Sequence, residues 1–534
     1  MCAMSYVTLL SIIGLLLRAS WCLDLKFPPG FQFGAATSAY QVEGAWNASD
    51  KGASIWDAAL HKDPSIVVDG SNGDVACDSY HQWRTDVQMA HDLGLHFYRF
   101  SVSWSRLLPT GFPNRISKEG AKYYNELIDG LLKKGVQPVI TLYHFDLPQS
   151  IQNLGGWANP LIADWFADYA RVVFTLYADR VKTWITINEP LAICDLVYNS
   201  GFFVPMVLEP ELGLFICNKN VLLAHAKAWR IYDEAFKPKY HGKLSIANNP
   251  EWLEPASEKD EHLTELAREF GAGRYSDPIY STEGGWPPSI EKIMAEYSKK
   301  QGFPYSRLPP FTKEEKKLIQ GTYDFYSLNH YTTRLVRAAH PDEAPGVWYM
   351  SGSKELNAVF EADPQWPHAD WDYLAIVPQG IRHQINWLKE RYNNVSILIT
   401  ENGYAARKSD LYDAERIVYI RDYLKEVLLA IKEDGANVIG YSAWSLMDNF
   451  EWAFGYTLKY GLYSVDFSDP MRKRTPRASA LYYANIIKDH SLDVPDSSHQ
   501  FQYLKREESP NSTPTNKCQC ILLLTVFSLG YFLL

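Results

Sequence analysis

Cysteine is scarce, seven in 534 residues, and a set that sparse cannot substitute a disulfide framework for a hydrophobic core. Cys2 and Cys22 lie in or beside an apolar N-terminal run, and Cys518 and Cys520 lie in the C-terminal tail. Cys77, Cys194 and Cys217 are left for the folded body. Cys194 and Cys217 bracket one loop and are expected to form a disulfide, with Cys77 a free thiol. No Cys/His set has ligand spacing, so neither a metal nor an organic cofactor is expected. Positive charge is also short: 52 Lys and Arg stand against 62 Asp and Glu, a net charge of -10. Without a basic stripe to neutralise phosphates, a nucleic-acid partner is excluded.

Apolar runs of the roughly 20 residues that span a bilayer are missing too. The first candidate, residues 6–17, is followed by small residues before Cys22 and reads as a secretory signal peptide over 1–22. Three sequons, at Asn47, Asn394 and Asn511, are consistent with secretion and glycosylation. Residues 496–517 are rich in Ser, Pro, Asn and Thr, as in a solvated stalk. They lead into the second run, 518–534, which is apolar to the last residue and reads as a cleaved lipid-anchor (GPI) signal, or otherwise as a short membrane segment. Membrane contact is expected only through this tail, at an extracellular or cell-surface location.

Aromatic residues, by contrast, are plentiful: 14% of the chain, with 17 Trp and 34 Tyr. Rings of this kind stack on the C–H faces of sugars as well as filling cores. Two stretches organise the rest. Ile397-Leu398-Ile399-Thr400 is a buried-strand pattern that stops at Glu401 and a turn-prone Asn402-Gly403 pair. Trp184-Ile185-Thr186-Ile187 likewise runs into Asn188-Glu189, and Pro190 ends it.

Strand-like segments at 31–38, 97–104, 138–145, 182–188, 243–248, 323–331, 397–401 and 438–444 alternate with helical stripes. One stripe is Trp83, Val87, Ala90 and Leu93, closed by Gly94; another is Tyr124, Leu127, Ile128, Leu131 and Leu132, closed by Lys133, Lys134 and Gly135. Eight β/α units imply a single α/β domain over 23–495, a (β/α)8 TIM barrel with long βα-loop insertions. Its strand ends carry Gln41, Arg99, His144, Asn188, Glu189, Asn329, Tyr331, Glu401, Trp444, Glu451 and Trp452. Taken singly, His144 reads as a satisfied core histidine and Trp444 as packing; taken together the set forms a ring around one mouth.

The motifs Thr186-Ile187-Asn188-Glu189-Pro190, Ile399-Thr400-Glu401-Asn402-Gly403 and Ser38-Ala39-Tyr40-Gln41-Val42-Glu43-Gly44 resemble glycoside hydrolase family 1, the β-glucosidase and lactase-like family. So do Tyr98-Arg99-Phe100-Ser101, Leu154-Gly155-Gly156-Trp157 and the stretch from Trp444 to Trp452, and the likeness spans roughly residues 25 to 490. The resemblance implies a retaining hydrolase with Glu189 as acid/base and Glu401 as nucleophile, their carboxyls about 5 to 5.5 Å apart. It implies that Arg99 and Tyr331 orient Glu401, and that Asn188 binds the sugar 2-hydroxyl. Gln41, His144, Asn329, Glu451 and Trp452 would read hydroxyls over a Trp444 platform, and a carboxylate at Glu451 disfavours phosphorylated sugars.

The implied substrate is a terminal β-D-glucoside, galactoside or fucoside of a small aglycone or oligosaccharide. The alternatives are a thioglucosidase and a non-catalytic carbohydrate-binding or receptor relative. Phe145 replaces the family's usual tryptophan, and on the aglycone side Tyr373, with Trp371 two residues upstream, stands nearest an expected tryptophan.

Overall fold

The computed structural model describes residues 25–346 and 351–495. The signal-peptide, stalk and tail readings and the Asn511 sequon lie outside the described residues. Eight parallel strands form a closed barrel: β1 (Gln32–Ala36), β2 (Phe97–Ser101), β3 (Gln137–Tyr143), β4 (Thr183–Asn188), β5 (Lys243–Asn248), β6 (Tyr326–Asn329), β7 (Ile397–Asn402) and β8 (Val438–Trp444). Each pairs with its neighbours in sequence, and β8 returns to pair with β1 from Gln32↔Gly440 to Ala36↔Trp444. This is the (β/α)8 barrel expected from the alternation. Parallel strands joined by outer helices can bury both faces, which suits runs as apolar as Ile397–Asn402.

Inside the barrel, Phe97, Val139, Ile185, Ala247, Phe325 and Leu398 make a separate small core. Gly34 on β1 makes room for it: a Cβ there would meet the Phe97 ring at 2.3 Å. The outer helices begin and end as their sequences dictate. Helix α1 (Ser79–Asp92) is followed by Gly94 at φ +70°, and α2 (Lys118–Lys133) by Gly135 at φ +79°, the left-handed geometry in which glycine has no Cβ penalty. Ser117 caps α2 by accepting from the Gly120 N–H.

Three strands are clearly shorter than their patterns suggested. β1 covers only Gln32–Ala36 of the expected 31–38. β2 stops at Ser101 because the Ser103 hydroxyl caps a new helical turn, Trp104–Leu107, by accepting from the Arg106 N–H. β6 begins only at Tyr326, since Asp324 just before it is taken up in bonds to the Leu244 N–H and the Lys237 ammonium. Beyond β5 and β6 the βα loops build a second four-stranded sheet from Trp252–Pro255, Thr333–Ala338, Ala358–Glu361 and Gly352–Ser353. Among the described residues no helix is long and apolar enough to cross a membrane.

The Cys194–Cys217 disulfide is formed, with Cα atoms 5.6 Å apart, and Cys77 is a buried free thiol. The bond ties the segment after β4, Ala192–Asn199, to the helix Gly213–Ala235. Replacing both cysteines by serine is expected to lower stability by about 3 kcal/mol, the loop-closure value for a separation of 23 residues. Urea denaturation of the oxidised wild type against the double variant measures it.

Candidate active site

The C-terminal ends of β2, β3, β4, β6 and β7 bring their polar side chains together through one hydrogen-bond network, with Trp444 at the end of β8 stacked beside it. Arg99 lies at its centre, 1% exposed. Its Nη1 donates to Glu401 Oε1 at 2.5 Å and to the Thr400 carbonyl, its Nη2 to Asn188 Oδ1 at 2.6 Å, and its Nε to Thr141 Oγ1. The Tyr331 hydroxyl donates to Glu401 Oε2 at 2.8 Å. Both oxygens of Glu401 are therefore held, one by a cation and one by a phenol.

Glu189 has different surroundings. Its Oε1 accepts from Asn329 Nδ2 at 2.7 Å, and the same amide donates to Asn188 Oδ1. Thr400 Oγ1 donates to Asn329 Oδ1, which settles the orientation of that amide. Burial, then the negative charge of Glu401, raises the Glu189 carboxyl well above the ordinary carboxylate range, with the Asn329 bond and Arg99 opposing. One carboxyl clamped by a guanidinium and another kept acidic beside it are the two partners that glycoside hydrolysis requires.

The backbone aims these groups. Against its neighbours, β4 shifts register between Ile185 and Asn188, and β7 between Ile399 and Glu401; such irregularities re-aim side chains at active sites. Phe145, Glu189 and Trp452 have left-handed φ angles of 70°, 50° and 47°, each costing on the order of 1–2 kcal/mol for a residue with a Cβ. Glu189 is secured there by its N–H, which donates to the Ala247 carbonyl on β5 at 2.8 Å.

His144 accepts at Nε2 from the Asn188 amide, whose Oδ1 is already committed to Arg99 and Asn329. Burial and the nearby Arg99 charge push its pKa well below the ordinary histidine value, so the ring is neutral. It lies nearly parallel to Trp444 and Trp452, at centroid distances of 5.7 and 6.0 Å. Glu451 is raised to about 8 by burial and by Glu401, against bonds from Gln41 and Trp444.

These groups open into a cleft whose empty space, counting the solvent at its open mouth, is about 1030 Å³. His144, Asn188, Glu189, Asn329, Tyr331, Glu401, Trp444, Glu451 and Trp452 line it, as do Trp371 and Tyr373. Gln41 and Arg99 stand behind this wall. Gln41 is fully buried, accepting from Ser38 Oγ and donating to Asn449 Oδ1, the Phe450 carbonyl and, at 3.4 Å, Glu451 Oε2. Phe145 packs against Phe203 and Trp452. Among the described residues no group of His, Cys, Asp and Glu could hold a metal ion. The sequon residues Asn47 and Asn394 are exposed.

The sequence model of glycosyl hydrolase family 1 matches residues 23–492. The chain belongs to this family. Myrosinase 1 of Brevicoryne brassicae is 44% identical to it over 471 residues, covering 87% of this chain and 99% of the relative. Human cytosolic β-glucosidase is 42% identical over 474 residues, covering 88% and 100%. A rice β-glucosidase solved in a covalent complex with Glc superposes with a TM-score of 0.79 at 37% identity, covering 86% of this chain and 98% of that one. The family 1 protein described here is thus a β-glucosidase-like glycoside hydrolase.

Several cleft residues of this family 1 enzyme escaped sequence reasoning: Ala192, Leu196, Phe202, Phe203, Glu251 and Phe454. All sit on loops or irregular segments beyond the strand ends. There no periodicity separates a wall from a surface, although Glu251 lies only three positions past the end of β5.

Between the ordinary glutamate pKa of about 4.3 and the value of about 8 for Glu451, the folded chain holds a proton that the unfolded chain has released. Stability therefore falls as pH rises through that window. The Tm of Glu451→Gln relative to wild type is expected to increase between about pH 5 and about pH 8 in calorimetric scans, because the amide does not titrate; a pH-independent difference would contradict the assignment.

Proposed function

We propose that the enzyme is a retaining β-glycosidase that removes a terminal, non-reducing β-D-glucose, or the related galactose or fucose, from small glycosides. The observation that carries this reading is the unequal treatment of two carboxyls at one mouth. Glu401 is gripped at both oxygens by Arg99 and Tyr331, while Glu189 is kept acidic by burial and by the neighbouring charge. Glu401 attacks the anomeric carbon as Glu189 passes its proton to the glycosidic oxygen, and the aglycone leaves. Glu189 then takes a proton from water, which attacks the glycosyl ester and frees the sugar and Glu401. The covalent complex with Glc described for the rice relative supports an ester intermediate.

Asn188 binds the sugar 2-hydroxyl in this reading, where contacts strengthen in the transition state. Asn329 orients Glu189, and His144, Glu451 and Trp452 read the remaining hydroxyls, with Trp444 as the platform. Gln41, behind the wall, acts by holding Glu451. A second reading, S-linked substrates, is favoured by the likeness to an aphid myrosinase.

Turnover on aryl β-glucoside, β-galactoside, β-fucoside and a thioglucoside tests both readings and ranks sugar and linkage. Glu401→Gln is expected to lose roughly 10⁴-fold or more in kcat with its fold intact. Glu189→Ala is expected to retain measurable intermediate formation only on substrates whose leaving group needs no proton. Wild-type rates from Glu401→Gln would refute the nucleophile assignment.

We also propose that the chain enters the secretory pathway, is glycosylated at Asn47 and Asn394, and is lipid-anchored at the cell surface. The readings of residues 1–22 and 518–534 support this. A phospholipase specific for phosphatidylinositol anchors is expected to release activity from intact cells; retention after treatment would favour a spanning tail.

A further inference from the structure

Four acidic side chains line the cleft: Glu189 and Glu401 belong to the network around Arg99, and Glu451 is held by Gln41. The fourth, Glu251, stands on the loop after β5 and shares the cleft wall with Pro250, Thr332, Trp371 and Tyr373. Its Oε1 is enclosed and has no hydrogen-bond partner among the described residues. Among the other buried acids Asp146 is also unpartnered at both oxygens, but it does not line the cleft, and several others are well satisfied. Glu43 receives Arg106 Nε at 2.7 Å and the Tyr124 hydroxyl at 2.6 Å, and Asp448 receives both Nη groups of Arg477. A buried polar atom without a partner reduces stability and calls for another explanation than packing.

The loop is firmly placed. Gln384, 2% exposed, donates to the Pro250 carbonyl at 2.7 Å and accepts from His330 Nδ1 at 2.6 Å, and His330 lies between Asn329 and Tyr331. On the other side Trp252 is in register with Thr333. Glu251 is thus clamped to the same turn that positions Glu189 and Glu401. The nearest cation does not neutralise it by contact: Arg334 instead lies over the Tyr373 ring at 4.2 Å and donates to the Tyr373 carbonyl. Burial raises the Glu251 carboxyl to about 8, with Arg334 opposing. At neutral pH it is an uncharged acid, able both to donate and to accept.

The surrounding wall, with Ala192, Leu196, Phe202, Phe203 and Phe454, is apolar. We propose that Glu251 is a specificity-determining residue on the leaving-group side of the cleft, where it hydrogen-bonds a hydroxyl of a phenolic or polyhydroxylated aglycone. The inference rests on the β-glycosidase reading. Apolar rings would supply affinity by stacking on Trp371 and Tyr373, and Glu251 would choose among them by their hydroxyls, because a site built around a buried polar group discriminates against a ligand that leaves it unpaired.

The test compares kcat/KM on 4-hydroxyphenyl β-glucoside with that on phenyl β-glucoside, which differ by one hydroxyl, for wild type, Glu251→Leu and Glu251→Gln, each shown to be folded by thermal melting. The wild-type ratio is expected to exceed one and to fall roughly tenfold in Glu251→Leu. Glu251→Gln, whose amide still donates and accepts, should recover most of it. A ratio that is the same in all three proteins, or that falls equally in both variants, would overturn the proposal. Absence of turnover by the wild type on both glucosides would instead overturn the β-glucosidase reading, and the inference with it.

Discussion

A guanidinium shielded from water is tolerated only when every side of it is met, and Arg99 imposes that condition on the whole mouth of the barrel. Its partners come from β3 (Thr141), β4 (Asn188) and β7 (Thr400 and Glu401), and it sits on β2 itself. Four strands must therefore be in register at their C-terminal ends before the charge is satisfied. The closed parallel barrel provides that register. The same contacts orient Glu401 and, through Asn188 and Asn329, reach Glu189. Structural satisfaction of the arginine and arrangement of the two carboxyls are one event.

Much of the site is held against its own preferences. Glu189, Phe145 and Trp452 occupy left-handed backbone conformations, and Glu189, Glu251 and Glu451 have raised pKa values because burial, and for Glu189 and Glu451 the charge of Glu401, disfavours their ionised form. None of this stabilises the fold. It is sustained by the surrounding core and by buried ion pairs such as Arg477 with Asp448. A scaffold with that reserve can carry strain at one edge, where the chemistry lies.

The cleft also changes character along its length. Around Glu189 and Glu401 it is a lattice of committed amides and aromatic rings, in which a single displaced donor would leave others unpaired. Toward Phe202, Trp371 and Phe454 it is largely apolar. A rigid polar end suits one sugar, whereas an apolar end accepts many shapes of leaving group by stacking. The disulfide that pins Ala192–Asn199 to the helix Gly213–Ala235 belongs to this second part, where Ala192 and Leu196 form wall.

The eight strands and the carboxylates that end two of them were legible in the sequence, because β-branched runs stopped by Asn-Gly or Pro are local signals with a local cause. The Cys194–Cys217 pair was legible for a similar reason, a short span within one loop. The helical turn at Trp104 was not, since Ser103 competes with strand extension only once its hydroxyl finds the Arg106 N–H. Nor was Glu251, whose loop has no period to reveal which side faces the cleft. By itself, then, the sequence determined the barrel and the residue types delivered to its mouth. Only the tertiary structure decided which oxygen meets Arg99, why Glu189 remains an acid, and that Glu251 Oε1 has no hydrogen-bond partner among the described residues. Protonation and hydrogen bonding depend on distances between atoms as far as 410 residues apart in the chain, and those distances exist only after the barrel has closed.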